Sequence, residues 1–145
     1  MLGAQRWQGN WRVVGPPGAV QVQLPRSRRR CRDLEARVRA LPAGTSVVLC
    51  AAAPGSSARC RRFARGARLE FARRYLAFPS AAAPGYLVEE SSSSVTVFVR
   101  TVLAAPPGTV LSTPVGAGLG VLRVLGPWQM TRRLAPGRVV VGRRT

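Results

Sequence analysis

The alternation of apolar and polar residues along this chain predicts an α/β order of elements. Runs rich in valine with period-two alternation indicate strands, whereas apolar positions three or four residues apart indicate helices. Apolar residues recur at helical spacing over 95–103, which predicts a helix there. The same stretch also alternates between apolar and other residues and is rich in β-branched residues, so a strand is the alternative. A further helical segment covers 121–125 and continues over 128–135. The predicted extended runs are 11–14, 20–24, 46–50, 69–78, 86–89, 109–111 and 138–142.

The first two extended runs are predicted to form a β-hairpin. The four residues Gly15 to Gly18, which read Gly-Pro-Pro-Gly, separate them and have a suitable length for such a connection. In the second run, Val20, Val22 and Leu24 alternate with glutamines, which is typical of a strand with one buried and one wet face. We therefore interpret residues 1–27 as an N-terminal extension containing a hairpin, and residues 28–145 as one α/β domain.

An apolar stripe predicts a helix over 28–41. Ser27 stands where a capping residue is favoured, and Pro42 and Gly44 follow the last apolar position. Acidic residues precede arginines by four positions on this segment, which is the spacing of stabilising ion pairs. The stripe consists of Cys31, Leu34, Val38 and Leu41, and the pairs are Asp33 with Arg37 and Glu35 with Arg39.

The stretch 45–90 is predicted to be the centre of the fold. An apolar run ends at Cys50, and small residues then turn the chain through 51–57. An arginine-rich helix is predicted to follow to about Ala67, with Gly66 as the residue that breaks it. A second strand begins at Leu69. A strand, a tight turn, a helix and a second strand form a βαβ unit, whose ligands lie at the carboxyl end of the first strand. The expected architecture is an α/β domain with a mostly parallel sheet and flanking helices.

Composition adds a strong positive charge to this picture. The chain has 145 residues, enough for one domain with a core, and its 23 basic residues are all arginine, giving a net charge of +18. Codon bias of a GC-rich genome, with a solvated surface, is one interpretation of this bias. Attraction to phosphates, which guanidinium groups bind in a bidentate manner, is the other. Sixteen of the arginines precede Tyr75, which predicts one basic face.

The basic face gives one functional hypothesis, a nucleic-acid-binding module. Two arginine clusters, one before and within the first helix and one in the second, could follow a phosphate backbone. Trp7 and Trp11 lie near the first cluster in sequence and could stack on bases. The cluster residues are Arg26, Arg28, Arg29, Arg30 and Arg32, with Arg59, Arg61 and Arg62.

Other chemistry is restricted by what the sequence lacks. There is no histidine and no CxxC motif, so the three cysteines predict reduced thiols and no metal site. A Ser/His or Cys/His nucleophile system is excluded for the same reason. The first ten residues contain no apolar signal segment, and no apolar run is long enough to span a membrane, which predicts a cytoplasmic protein. The glycine cluster 116–120 predicts a flexible or closely packed helix start, with a phosphate site as the alternative.

The turn of the central unit also carries a resemblance to a known family. The sequence Leu-Cys-Ala-Ala-Ala-Pro-Gly over 49–55, with Phe-Ala-Arg-Gly-Ala over 63–67, resembles the opening of class I S-adenosylmethionine-dependent methyltransferases. In that family a strand enters an acidic-x-Gly-x-Gly-Pro-Gly-like turn, whose small residues let the backbone approach the nucleoside. The resemblance covers 45–75 and implies a single Rossmann-like domain. It also implies a methyltransferase-like protein, whether active, inactive or truncated, with S-adenosylmethionine as its cofactor.

The resemblance assigns the cofactor and acceptor positions. The family's glycines correspond to two alanines of the turn, its Pro-Gly pair is retained, and the residue that holds the ribose hydroxyls corresponds to an arginine. Among the five acids of the chain, Glu89 and Glu90 form the pair at a strand end and would border the methyl acceptor. The implied cofactor-binding residues are Ala51, Ala53, Pro54, Gly55 and Arg73.

Overall fold

The computed structural model describes residues 10–102 and 127–145. The predicted strand 109–111, the glycine cluster 116–120, the predicted helix 121–125 and Trp7 lie outside these residues. The described elements are a 3₁₀ helix Asn10–Val14, β1 Val20–Gln23, α1 Arg28–Arg39, β2 Ser46–Ala52, α2 Ser56–Ala67, β3 Leu69–Phe78, β4 Tyr86–Glu89, α3 Ser92–Thr101, α4 Pro127–Leu134 and β5 Gly137–Arg144.

The five described strands form one mixed sheet in the order β1-β2-β5-β3-β4. β1 is parallel to β2, but β5 lies between β2 and β3 and is antiparallel to both. The predicted α/β class is therefore confirmed, whereas the prediction of a mostly parallel, Rossmann-type sheet is wrong. The reason lies in the last strand, whose valines Val139, Val140 and Val141 are at most 8% exposed and take the central position.

Insertion of β5 splits the predicted βαβ unit. β2 and β3 run in the same direction, as that unit requires, because each is antiparallel to the same strand. They are not neighbours, however, and the crossover through α2 passes over β5. The two crossover connections, β1-α1-β2 and β2-α2-β3, advance across the sheet in the same direction. Right-handed connections therefore place α1 and α2 on the same face of the sheet.

Side-chain packing agrees with this arrangement. α1 and α2 bury their apolar residues in the core on one sheet face, where Val38 and Phe63 meet Leu49 of β2. On the other face Trp11 packs in a separate core with Val48. In this part of the chain the helices are thus not distributed on both faces as in a doubly wound fold.

The predicted N-terminal hairpin does not form. Residues 10–14 are a 3₁₀ helix, and β1 pairs in parallel with β2 through the register Val20 to Val47. Burial of Trp11, which is 3% exposed, directs the first run into the core instead of into a strand pair. Gly15 then passes so close to the sheet that a Cβ there would lie 2.3 Å from Cγ2 of Val48. Residues 20–23 belong to the main sheet.

Most local predictions for the other elements are confirmed. α1 begins at Arg28, directly after Ser27, and β3 has the predicted bounds. The segment after Ser91 is a helix and not the alternative strand, because the Ser91 Oγ accepts a hydrogen bond from the Ser94 N–H at 3.2 Å and caps it. In contrast, Ser27 makes no such bond.

The end of α2 differs from the prediction. The helix continues through Gly66, and the left-handed residue after it is Arg68, with φ of 54°. Gly66 is instead a point of close approach between the helices, since a Cβ there would lie 2.5 Å from Oε2 of Glu35 on α1. The glycine therefore serves packing, and an arginine takes the strained cap position that glycine usually occupies.

The chain forms two compact units. The first extends to Leu87 and resumes at Pro136, and the second comprises residues 88–135. Within the second, α3 and α4 contact each other. The Arg132 Nε of α4 forms an ion pair with Oε1 of Glu90 at 2.6 Å, and its guanidinium lies 5.6 Å from the centre of the Trp128 ring. These contacts fix α4 within its own unit.

Candidate functional site

The turn that follows β2 is occupied by the chain's own arginines. Arg59 on α2 donates from Nη2 to the carbonyl of Ala52 and from Nη1 to that of Pro25, the latter at 3.3 Å. Arg26 donates to the carbonyl of Ala53 at 3.1 Å. Two guanidinium groups therefore lie against the carbonyls of the turn, the segment against which the resemblance would place a nucleoside.

The other side of the turn is closed by a loop. A Cβ at Gly137 would lie 2.3 Å from the Cβ of Ala81 and 3.1 Å from the carbonyl oxygen of Ala51, so these three residues are in tight contact. The Cys50 thiol donates a hydrogen bond to the Ala81 carbonyl at 3.2 Å. The predicted cofactor positions Ala51 and Ala53 are thus packed against protein on both sides of the strand end.

Pro54 and Gly55 are exposed in the turn itself, whereas the other predicted positions of the methyltransferase site lie elsewhere. Arg73 pairs across β5 at the level of Val141, whereas the end of β2 aligns with Ala77, four residues further along β3. That separation is roughly 13 Å along a strand. Glu89 ends β4 and is exposed, while the side chain of Glu90 is 4% exposed and paired with arginine in the second unit. Arg73 is therefore not beside the turn.

The structure brings the basic residues together in a groove between α1 and α2. Its volume is about 580 Å³, and it is lined by six arginines, one carboxylate, one thiol, a phenyl ring and a glycine. Of the eight arginines predicted to contact nucleic acid, five line the groove and three, Arg29, Arg30 and Arg61, are exposed outside it. The lining residues are Arg26, Arg28, Arg32, Arg59, Arg62, Arg65, Cys31, Glu35, Phe63 and Gly66.

The sequence-based prediction did not include Arg65, although a signal for it existed. Arg65 follows Arg62 by three residues, so it lies on the same helix face as a predicted residue. What the sequence did not reveal is that the two faces meet, because their contact depends on both crossovers lying on one side of the sheet.

The arginines of the groove fall into two groups. Arg26 and Arg59 are held by backbone carbonyls, and the Nε of Arg59 is buried with no hydrogen-bond partner among the described residues. In contrast, the guanidinium groups of Arg28, Arg32, Arg62 and Arg65 donate to no carbonyl or carboxylate of the described chain. The second group can accordingly bind an external anion without first breaking an internal contact.

The predicted base-stacking role of Trp11 does not agree with its burial. This side chain is 3% exposed and belongs to the core beneath the sheet. Phe63, the aromatic residue of the groove, is 1% exposed and forms part of its floor. The described part of the groove therefore offers charged and hydrogen-bonding groups but no accessible aromatic ring for stacking.

Burial raises the pKa of two cysteine thiols, Cys31 and Cys50. Burial, reinforced by the nearby Cys60 thiol, raises the pKa of Cys50 to about 12. The pKa of Cys31 in the groove is also raised, mainly by burial and then by the charge of Glu35, while Arg59 and Arg62 oppose the shift. Because raised values favour the neutral thiol, both cysteines stay protonated at neutral pH, and Cys50 ionises only near its pKa of about 12.

We expect the native protein to be alkylated by iodoacetamide first at Cys31 and very slowly at Cys50. At pH 8 a thiol with a pKa of about 12 has roughly three orders of magnitude less thiolate than free cysteine, and Cys50 is also 0% exposed. Peptide mass spectrometry over time measures both rates, and the denatured protein, in which they should become equal, is the control. Equal rates in the native protein would contradict the burial of Cys50.

Metal and membrane chemistry find no support in the described part of the chain. No group of three histidine, cysteine, aspartate or glutamate residues there could hold a metal ion. Among the helices at 28–39, 56–67, 92–101 and 127–134, none is long and apolar enough to cross a membrane.

Comparisons with family models, curated proteins and solved structures find no match to this chain.

Proposed function

We propose that this protein binds nucleic acid through phosphate groups in the groove between α1 and α2. The observation that carries the proposal is the convergence of six arginines from two helices and one loop on a single concave surface. Guanidinium groups are the side chains best suited to bidentate phosphate binding. Codon bias accounts for the number of arginines in the chain, but it does not account for their convergence in a groove.

Charge balance supports the same proposal. One carboxylate, Glu35, accompanies the six arginines of the groove, and none of the six forms an ion pair within 4.0 Å among the described residues. Concentrating cations on a concave surface costs free energy through mutual repulsion unless an anion binds there. A polyanion with regularly spaced phosphates relieves that repulsion, and release of its counterions adds to affinity.

Replacement of two groove arginines is expected to weaken binding and its salt dependence. For Arg32→Gln combined with Arg62→Gln, we expect at least a tenfold loss of affinity for a fluorescent single-stranded oligonucleotide at 50 mM salt. The slope of log K against log salt should fall in magnitude by about 1.4, since each phosphate contact to a single strand contributes roughly 0.7. Neither side chain makes a hydrogen bond to the described chain, so the fold should be retained.

The matched control removes the same charge outside the groove. Arg37 lies on α1 and Arg74 on β3, both are exposed, and neither lines the groove. The double variant Arg37→Gln with Arg74→Gln should therefore bind nearly as the wild type does. Bound oligonucleotide should also slow alkylation of Cys31. Equal losses of oligonucleotide affinity in both double variants would contradict binding in this groove. So would alkylation of Cys31 at the same rate with and without bound oligonucleotide.

S-adenosylmethionine-dependent methyl transfer remains a second proposal, supported by the resemblance at 49–55 and 63–67. The residues present do not fit the cofactor in the manner of that family. Arg26 and Arg59 occupy the carbonyls of the turn, and their positive charges would repel the sulfonium and ammonium groups of the cofactor. Calorimetric titration of the folded protein with S-adenosylmethionine tests it, and an absence of heat would remove the proposal.

A further inference from the structure

Glu35 is an unusual member of the arginine-lined groove. It is the one carboxylate among the ten residues that line it. The arginine one turn further along α1, Arg39, does not pair with it, because Arg39 donates from Nε to the carbonyl of Gly66 at 2.9 Å. Across the described residues, no arginine nitrogen lies within 4.0 Å of the Glu35 carboxylate. The carboxylate therefore faces the groove without an ion-pair partner there.

The position of this carboxylate depends on a glycine of the facing helix. A Cβ at Gly66 would lie 2.5 Å from Oε2 and 2.7 Å from Cδ of Glu35. Any side chain at position 66 would thus displace the carboxyl group. The two helices together hold a carboxylate acceptor on a surface whose other charged groups are all arginine donors.

A ligand made only of phosphates does not match this surface. Phosphate oxygens accept hydrogen bonds from arginine, but a carboxylate also only accepts, so it would be repelled by such a ligand. The ribose 2′-hydroxyl is a donor that recurs along the same backbone as the phosphates, whereas deoxyribose has no such group. Hydrogen-bond donors on the bases occur in both RNA and DNA, so a contact to them would not distinguish the two nucleic acids.

Resting on the proposed function, we infer that Glu35 makes the groove selective for RNA over DNA by accepting a hydrogen bond from a ribose 2′-hydroxyl. The arginines around it contact the flanking phosphates. On DNA the same carboxylate meets no sugar donor and opposes binding. Glu35 is accordingly a specificity-determining residue, and the arginines supply most of the affinity.

The test compares three single strands of one sequence, made of RNA, DNA and 2′-fluoro RNA, by fluorescence anisotropy at a fixed salt concentration. The 2′-fluoro strand keeps an RNA-like sugar but cannot donate. The wild type is expected to bind RNA about tenfold more tightly than either other strand, as a charge-assisted hydrogen bond would give. In Glu35→Ala, the affinity for DNA should rise and the ratio of RNA to DNA affinity should fall to near one.

Two further variants separate the position of the carboxylate from its charge. Asp33→Ala removes the same charge from an exposed site on α1 outside the groove, and it should keep the preference for RNA. Gly66→Ala leaves the net charge unchanged but displaces the Glu35 carboxylate, and it should lose the preference. Gly66 is inside a helix, where alanine is favoured, so this variant is expected to fold.

The outcomes distinguish this inference from the proposal on which it rests. Loss of the RNA preference in Glu35→Ala and Gly66→Ala, with its retention in Asp33→Ala, supports the role of Glu35. Equal binding of RNA and DNA by the wild type, equal binding of RNA and 2′-fluoro RNA, or an unchanged preference in Glu35→Ala would overturn it while nucleic-acid binding stands. Binding of none of the three strands would overturn both.

Discussion

The variant Phe63→Ala is expected to lower the free energy of unfolding by about 3–5 kcal/mol, a large effect for a single side chain. Phe63 is 1% exposed and is the largest fully buried side chain among the described residues. It joins α2 to the sheet, in one core with Val38 of α1 and Leu49 of β2. Truncation would leave a cavity at the point where both helices contact the sheet.

Urea unfolding measures this loss as a shift of the transition midpoint. Small domains have a total stability of roughly 5–15 kcal/mol, so the variant should lose a large fraction of its stability. Val13→Ala, at a side chain that is 80% exposed, is the control and should change stability by less than about 0.5 kcal/mol. If both variants unfolded at the wild-type midpoint, α2 would not be packed on the sheet as described.

The same residue links stability to the proposed binding surface. Phe63 forms part of the floor of the groove, while Arg62 and Arg65 on the same helix reach its rim. Phe63→Leu keeps an apolar floor at a smaller loss of volume. It should retain oligonucleotide binding at temperatures where it is folded, because the aromatic ring is too buried to stack on a base.

The sequence was sufficient to predict the helices and strands whose structure is decided by residues close together along the chain. The apolar stripe of α1, the serine cap of α3 and the aromatic-rich run of β3 each favour a helix or strand through residues within that segment. Those elements have the predicted type and nearly the predicted bounds. The run 11–14 is an exception, because burial of Trp11 outweighs its strand-like pattern.

The order of strands could not be predicted in the same way. A valine run such as 139–141 fits a central parallel strand and a central antiparallel strand equally well. Its position between β2 and β3 is decided by long-range pairing, with Val48 and Arg73 both at the level of Val141. The predicted cofactor site depended on that order, since it needed Arg73 near the end of β2. The basic groove depended only on α1 and α2 being neighbours.

The turn after β2 illustrates why a motif alone was an incomplete guide. Small residues at 51–55 are compatible with a backbone that approaches a nucleoside, and equally with one that approaches another part of the protein. Here the partners are internal: arginine side chains on one side and the Ala81 loop on the other. No pattern in the segment itself separates these two uses, because the difference lies in residues distant along the chain.

This close packing leads to the second large prediction, that Gly137→Ala lowers the free energy of unfolding by about 1–3 kcal/mol. The added Cβ would lie 2.3 Å from the Cβ and 2.8 Å from the Cα of Ala81, so rotating a side chain cannot relieve the overlap. The loop must move away from the end of β2, and the hydrogen bond from the Cys50 thiol to the Ala81 carbonyl is then lost. Thermal or urea unfolding gives the loss, and alkylation of Cys50 should become faster.

A matched glycine and a second-site change make the test specific. At Gly85 the nearest atoms to an added Cβ are 3.8 Å away, an ordinary contact, so Gly85→Ala should be nearly neutral. Ala81→Gly in the Gly137→Ala background removes one of the two overlapping methyl groups and should recover part of the lost stability, as expected for residues in direct contact. If Gly137→Ala were as stable as Gly85→Ala, the turn would be open on that side. The space that a nucleoside requires next to Ala51 would then be available after all.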